Sequence, residues 1–152
     1  MAELLQLAQA RGPLRANVVF VHGLQGDPRE TWTSPPPASA VWPEWLAQDC
    51  DGVAVWSVGY DAPVSDWTGS AMHLSDRGEN IFKRLLTKAE LRDGELVFIG
   101  HSLGGLVIKQ MLRKADGEAH DNADAASFVA RARKVAFLAT PHVGADMAGW
   151  GD

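Results

Sequence analysis

Leu96-Val97-Phe98-Ile99-Gly100-His101-Ser102-Leu103-Gly104-Gly105 is the stretch on which the fold of this chain turns. An apolar run of strand character ends on a G-x-S-x-G element. Leu106-Val107-Ile108-Lys109-Gln110-Met111-Leu112 follows with the composition of a helix. A serine hydroxyl is a poor nucleophile on its own, and a sharp strand-to-helix turn lifts its side chain clear of the backbone. Gly100 and Gly104 flank Ser102 where bulk would clash across the turn, and Gly105 lets the helix approach the sheet closely. The pattern marks Ser102 as a candidate nucleophile on an elbow. A chance G-x-S-x-G is expected about once in ten or twenty chains of this length. The strand before it and the helix after it make a chance match rarer still.

The rest of the composition bounds what such a chain can be. Its 152 residues, 46% hydrophobic and 22% charged, suit one domain over residues 1–152 with a single core. With 14 Lys and Arg against 19 Asp and Glu, the net charge is −5. That balance argues against nucleic acid as a partner, since phosphate binding needs a basic face. Arg131, Arg133 and Lys134 form a short basic cluster that reads as a solvated helix end. Cys50 is the one cysteine, so no disulfide forms within the chain, which fits a reducing cytoplasm. Met1 to Ala10 lacks the basic and apolar regions of a signal peptide, and no apolar run reaches the roughly 18–20 residues of a membrane span. The five histidines are isolated, without metal-ligand spacing, and there is no second cysteine, so no structural zinc site is expected.

Along the chain, Glu3 to Ala10 reads as a short amphipathic helix ended by Gly12-Pro13. Asn17 to Val21 reads as a strand buried on both faces. Residues 24–40 are loop-like, with Pro35-Pro36-Pro37 as a stiff polyproline stretch. Trp42 to Gln48 is predicted as a helix, and Val53 to Val58 as a second buried strand. A loop over 61–74 leads to a helix from Asp76 to about Glu90, N-capped by Ser75. Glu95 to Ile99 is the third strand, and the helix after the elbow runs to about Lys114. An exposed loop over 115–124 precedes a short helix, Ala125 to Arg133, and a fourth strand, Lys134 to Ala139. Strands alternating with helices imply an α/β fold: a mainly parallel sheet with helices on both faces. In such sheets the working groups gather beyond the carboxyl ends of the strands. His22-Gly23, Gly59-Tyr60-Asp61, Ser102 and Thr140-Pro141-His142 all fall there.

Four segments carry a family resemblance. They are Phe20-Val21-His22-Gly23-Leu24, Trp56 to Ala62, Phe98 to Gln110, and Phe137 to Gly144. Together they resemble the α/β-hydrolase superfamily, in its serine esterase and lipase-like (SERAC1-type) branch, from about Val18 to Ala145. The resemblance implies Ser102 as nucleophile. It implies the backbone N–H groups of Leu103 and Leu24 as the oxyanion hole, with Gly23 allowing the loop to turn. It also implies a small-molecule or lipid ester as substrate, without a cofactor.

The order in that family is serine, acid, histidine, the last two following later strands. No position here matches either, so the chain is expected to hold the N-terminal part of the fold, ending after the strand near Ala139. Asp146 and Asp152 are weak candidates for the acid, and His142 for a substitute base. His101 reads as packing, and His73 and His120 as solvated loop residues. Missing strands would leave a sheet edge open to self-association. Six tryptophans (Trp32, Trp42, Trp45, Trp56, Trp67, Trp150) read chiefly as loop packing. Trp32 and Trp67 are the better candidates for a cleft lining. Two functions stay open: an ester hydrolase acting through an acyl-enzyme on Ser102, and a non-catalytic α/β-hydrolase-like interaction module or inactive fragment.

Overall fold

The computed structural model describes residues 2–61 and 71–142, with backbone alone over 71–73. The strands are β1 (Glu3–Ala8), β2 (Ala16–Val21), β3 (Val53–Gly59), β4 (Glu95–His101) and β5 (Ala132–Leu138), of which β2, β3 and β4 are built on runs of β-branched and aromatic residues. They build one sheet in the order β1-β3-β2-β4-β5. β2 pairs in parallel with both β3 and β4, and β5 pairs in parallel with β4. The out-of-sequence order puts β2 at the centre, with the ends of β3 and β4 on either side of its own end.

Period-two alternation then sorts the side chains. Val19, Val21, Trp56, Val58, Leu96 and Phe98 face one core cluster. Above it lie α2 (Ala71–Thr87), α3 (Leu103–Glu118) and α4 (Ala123–Arg131), which bury Phe82, Ile108 and Phe128 against the sheet. Val18, Phe20 and Val55 face the other side, where Trp32 and Ala47 of α1 (Glu44–Asp49) cover them. Helices thus lie on both faces, as the alternating pattern implies. Two buried polar groups are matched by indoles: Trp56 Nε1 donates to Asn17 Oδ1 at 2.8 Å, and Trp32 Nε1 to Ser57 Oγ at 3.1 Å.

Several local readings are corrected. The segment read as a helix over Glu3 to Ala10 is strand β1, antiparallel to β3 with a bulge between Gln6 and Ala8. A helix that short is marginal by itself, and the open edge of β3 offers its backbone partners instead. α2 begins at Ala71, so Ser75 lies inside the helix, and it ends at Thr87. α3 runs past Lys114 to Glu118, because Ala115 is fully buried in the core. α4 starts at Ala123, capped by Asn122, whose side chain accepts from the N–H groups of Asp124 and Ala125. The triple proline is no extended rod, because residues 36–38 lie in a turn.

Arg131 is not a solvated helix end. Its Nη1 donates to the carbonyls of Leu91 and Gly94 at 2.9 and 3.0 Å, tying α4 to the turn that feeds β4. β5 accordingly begins at Ala132, two residues before the predicted start at Lys134. Among the described residues β5 pairs only with β4, and Phe137 and Leu138 are 38% and 40% exposed.

Candidate active site

Ser102 stands alone between β4 and α3 with φ 52° and ψ −123°. A side-chain-bearing residue in that region costs on the order of 1–3 kcal/mol, so the surroundings must enforce it. Its N–H donates to the Leu138 carbonyl at 2.8 Å, anchoring the elbow to β5. Its carbonyl accepts from Gly105 N–H at 3.1 Å, closing the first turn of α3. Three glycines clear the space. A Cβ on Gly100 would lie 2.6 Å from Gly105 Cα. One on Gly105 would strike the Thr140 side chain. One on Gly104 would strike the carbonyl oxygens of Val21 and His22. Gly104 therefore clears the end of β2 rather than the opposite limb of the turn.

The loop after β2 comes to the same place. A Cβ on Gly23 would meet Ser102 Cβ at 2.9 Å and Ser102 Oγ at 3.4 Å. Leu24 is half-buried against the main core cluster, and Leu103 is 2% exposed at the start of α3. Ser102, Leu103, Gly23 and Leu24, which the sequence set apart by position, thus converge at one sheet edge.

His22 organises that loop, a role the sequence did not disclose. It is fully buried, and its Nδ1 lies 2.8 Å from the Gly23 carbonyl. A carbonyl only accepts, so Nδ1 carries the proton and Nε2 is free to accept. Nε2 faces the Tyr60 N–H at 3.5 Å, and the two rings stack 4.5 Å apart at 10°. Burial holds the imidazole pKa below its ordinary value, against smaller raising effects of the Gly23 hydrogen bond and Asp27. Asp27 accepts from the N–H groups of Glu30 and Arg29, which keeps its carboxyl low.

This sets an expected pH dependence of stability. A histidine with a depressed folded pKa contributes stability that is complete above pH 6.5 and is lost as pH falls through the folded value. Urea unfolding should weaken as pH falls below 6.5, with a slope of up to about 1.4 kcal/mol per pH unit from this residue. His22→Gln should flatten that slope; an equal slope in the variant would assign it elsewhere.

The other candidates are placed as follows. His142 Nδ1 lies 2.7 Å from Lys109 Nζ, and its ring packs edge-on to Phe137. His101 is exposed, with its ring edge-on to Trp32 at 6.4 Å. The His120 side chain is 92% exposed, on the turn after α3. His73 falls within α2 rather than in a loop. Among the described residues no hydrogen bond joins a histidine to Ser102. Asp146, Asp152, Trp67 and Trp150 lie outside the described residues. Trp32 is 2% exposed and packs with Phe20 and Trp42, so it fills core rather than lining a cleft. Among the described residues no cluster of His, Cys, Asp or Glu could hold a metal ion, and no helix is long and apolar enough to cross a membrane.

A mainly parallel sheet of this order with a strained serine at a strand-to-helix turn defines the core of the α/β-hydrolase fold. Solved structures agree on the fold. The Bacillus licheniformis lipase BlEst2 superposes with a TM-score of 0.63 at 18% identity, over 96% of this chain and 50% of its own. YbtT, a type II thioesterase from the yersiniabactin biosynthetic pathway, gives 0.51 at 16% identity, over 76% of this chain and 42% of its own. A family model described as "Putative serine esterase (DUF676)" matches residues 16–149, and the chain belongs to that family. Human Protein SERAC1 is 31% identical over 155 residues, and the Danio rerio protein 31% over 156 residues. Each match covers 90% of this chain, which spans 23% of the length of these relatives.

Proposed function

We propose that residues 1–152 form an α/β-hydrolase-like domain that supplies the nucleophile and oxyanion hole of a carboxylic ester hydrolase. Ser102 Oγ attacks the ester carbonyl carbon and gives up its proton to a base. The resulting oxyanion accepts hydrogen bonds from the N–H groups of Leu103 and Leu24. Collapse expels the alcohol, which takes the proton, and leaves an acyl-enzyme on Ser102. Water then attacks the acyl carbon, releasing the acid and restoring the hydroxyl. Each oxyanion donor contributes roughly 3–4 kcal/mol, because the charge it meets exists only in the transition state and intermediate. The observation that carries this reading is the enforced φ of 52° at Ser102, with Gly23 packed against its side chain. Strain of this kind persists where the surroundings over-determine it, and it is concentrated at functional positions. The substrate class is a small-molecule or lipid ester.

The second reading is a non-catalytic interaction module. A fluorophosphonate probe separates the two. On the full-length protein, intact mass should show one adduct that Ser102→Ala abolishes. A folded protein that takes no adduct would favour the module.

A further inference from the structure

The oxyanion donor proposed above at Leu24 is half of a peptide unit whose other half is already spoken for. In a trans peptide the carbonyl of Gly23 and the N–H of Leu24 lie in one plane and point in opposite directions. Whatever holds the Gly23 carbonyl therefore aims the Leu24 N–H. That carbonyl accepts from His22 Nδ1 at 2.8 Å and from Gly26 N–H at 3.3 Å. The imidazole is in turn gripped from the next strand. Tyr60, just past the end of β3, stacks on the ring, presents its N–H to Nε2, and donates its hydroxyl to the His22 carbonyl at 2.6 Å. Burial raises the Tyr60 pKa well above its ordinary value, so the hydroxyl stays a donor throughout the working range of pH.

The His22 carbonyl is also one of the oxygens that a Cβ on Gly104 would strike, so it sits against the first turn of α3. The Tyr60 hydroxyl thus fixes the point at which the end of β2, the oxyanion loop and the nucleophile helix meet. Tyr60 and Ser102 follow the two strands that flank β2, one clamping the loop and the other using it.

We infer that Tyr60 is a positioning residue for ester hydrolysis, acting through His22 to set the direction of the Leu24 N–H. This rests on the esterase reading. Tyr60→Phe is the discriminating variant, because it keeps the ring stack and the Tyr60 N–H while deleting the hydroxyl donor. In the full-length protein, with p-nitrophenyl butyrate as probe, kcat should fall about tenfold with KM within about twofold, as a misaimed donor harms the transition state more than substrate binding. Amide exchange in the peptide covering residues 22–26 should quicken in the variant, while exchange in the β4 and α3 core holds.

An unchanged kcat would overturn the inference. So would a kcat loss accompanied by faster exchange throughout the core, which marks a merely structural residue. The esterase reading fails differently: the wild-type protein would then show no turnover that Ser102→Ala removes. Exchange at residues 22–26 would in that case still decide whether Tyr60 holds the loop.

Discussion

Ser102→Gly is expected to remove ester turnover, by on the order of 10⁴-fold or more, and to leave the protein more stable than Ser102→Ala. Both variants delete the nucleophile, so both should lose the fluorophosphonate adduct. They differ in backbone. At φ 52° and ψ −123° an alanine keeps the strain of the serine, whereas glycine occupies the region at little steric cost. Glycine gives back about 0.5–1 kcal/mol through the greater freedom of its unfolded chain, and it relieves on the order of 1–3 kcal/mol of strain. The net difference should favour glycine by about 1 kcal/mol. At an ordinary helix position the sign is opposite, with alanine ahead by about as much. Urea denaturation of the two variants measures it directly. Alanine proving the more stable would mean that the elbow is relaxed, and would remove the observation on which the nucleophile assignment leans most.

Such a trade, stability given up at one residue and recovered elsewhere, also explains which parts of the molecule could be read from its sequence. The elbow was legible because its requirements are local. A strand, a turn that excludes side chains and a helix must follow one another within a few residues, and glycines at 100, 104 and 105 leave that trace. The central strands were legible because burial on both faces demands nearly continuous apolar residues, as in β2 and β3, each broken by one buried polar group, Asn17 and Ser57. Where the deciding partner is distant in sequence, the reading failed. Glu3 to Ala10 has helical spacing, but the free edge of β3 makes it a strand. Arg131 looks solvated until Leu91 and Gly94 bring their carbonyls to it. Ala115 looks like loop until the far end of α3 is packed into the core.

The clamp on the oxyanion loop was illegible for the same reason. Tyr60 and His22 are separated by 38 positions, and neither belongs to a motif that names the other. Their link arises only once β3 is placed beside β2 and the two strand ends lie together. The sheet order is thus what turns a turn-forming His-Gly pair into a held peptide plane, while the chemistry at Ser102 is announced by its neighbours in the chain.

Two glycines of one helix should respond in opposite directions to the same substitution. Gly104→Ala places a methyl group 2.8 Å from the Val21 carbonyl carbon and closer still to the Val21 and His22 oxygens. Those oxygens cannot withdraw, since β2 is hydrogen-bonded on both sides and Tyr60 holds the His22 carbonyl. The helix must therefore move instead, taking the Leu103 N–H and the elbow with it. We expect a loss of about 3 kcal/mol or more, at the upper end of overpacking costs, and a midpoint lowered by about 6 °C or more. Turnover should fall further than the folded fraction accounts for, because Ser102 and the Leu103 N–H are displaced relative to the Leu24 donor, which stays with β2. Gly117→Ala, on the same helix, meets nothing within 4 Å and lies exposed. It should stabilise by about 0.5 kcal/mol through helix propensity alone, with turnover unchanged. Thermal melts and kcat for the pair test the placement of α3 against β2 without touching a reacting atom. A Gly104→Ala protein as stable and active as the wild type would mean that the helix start stands clear of β2, and the oxyanion geometry argued from that contact would go with it.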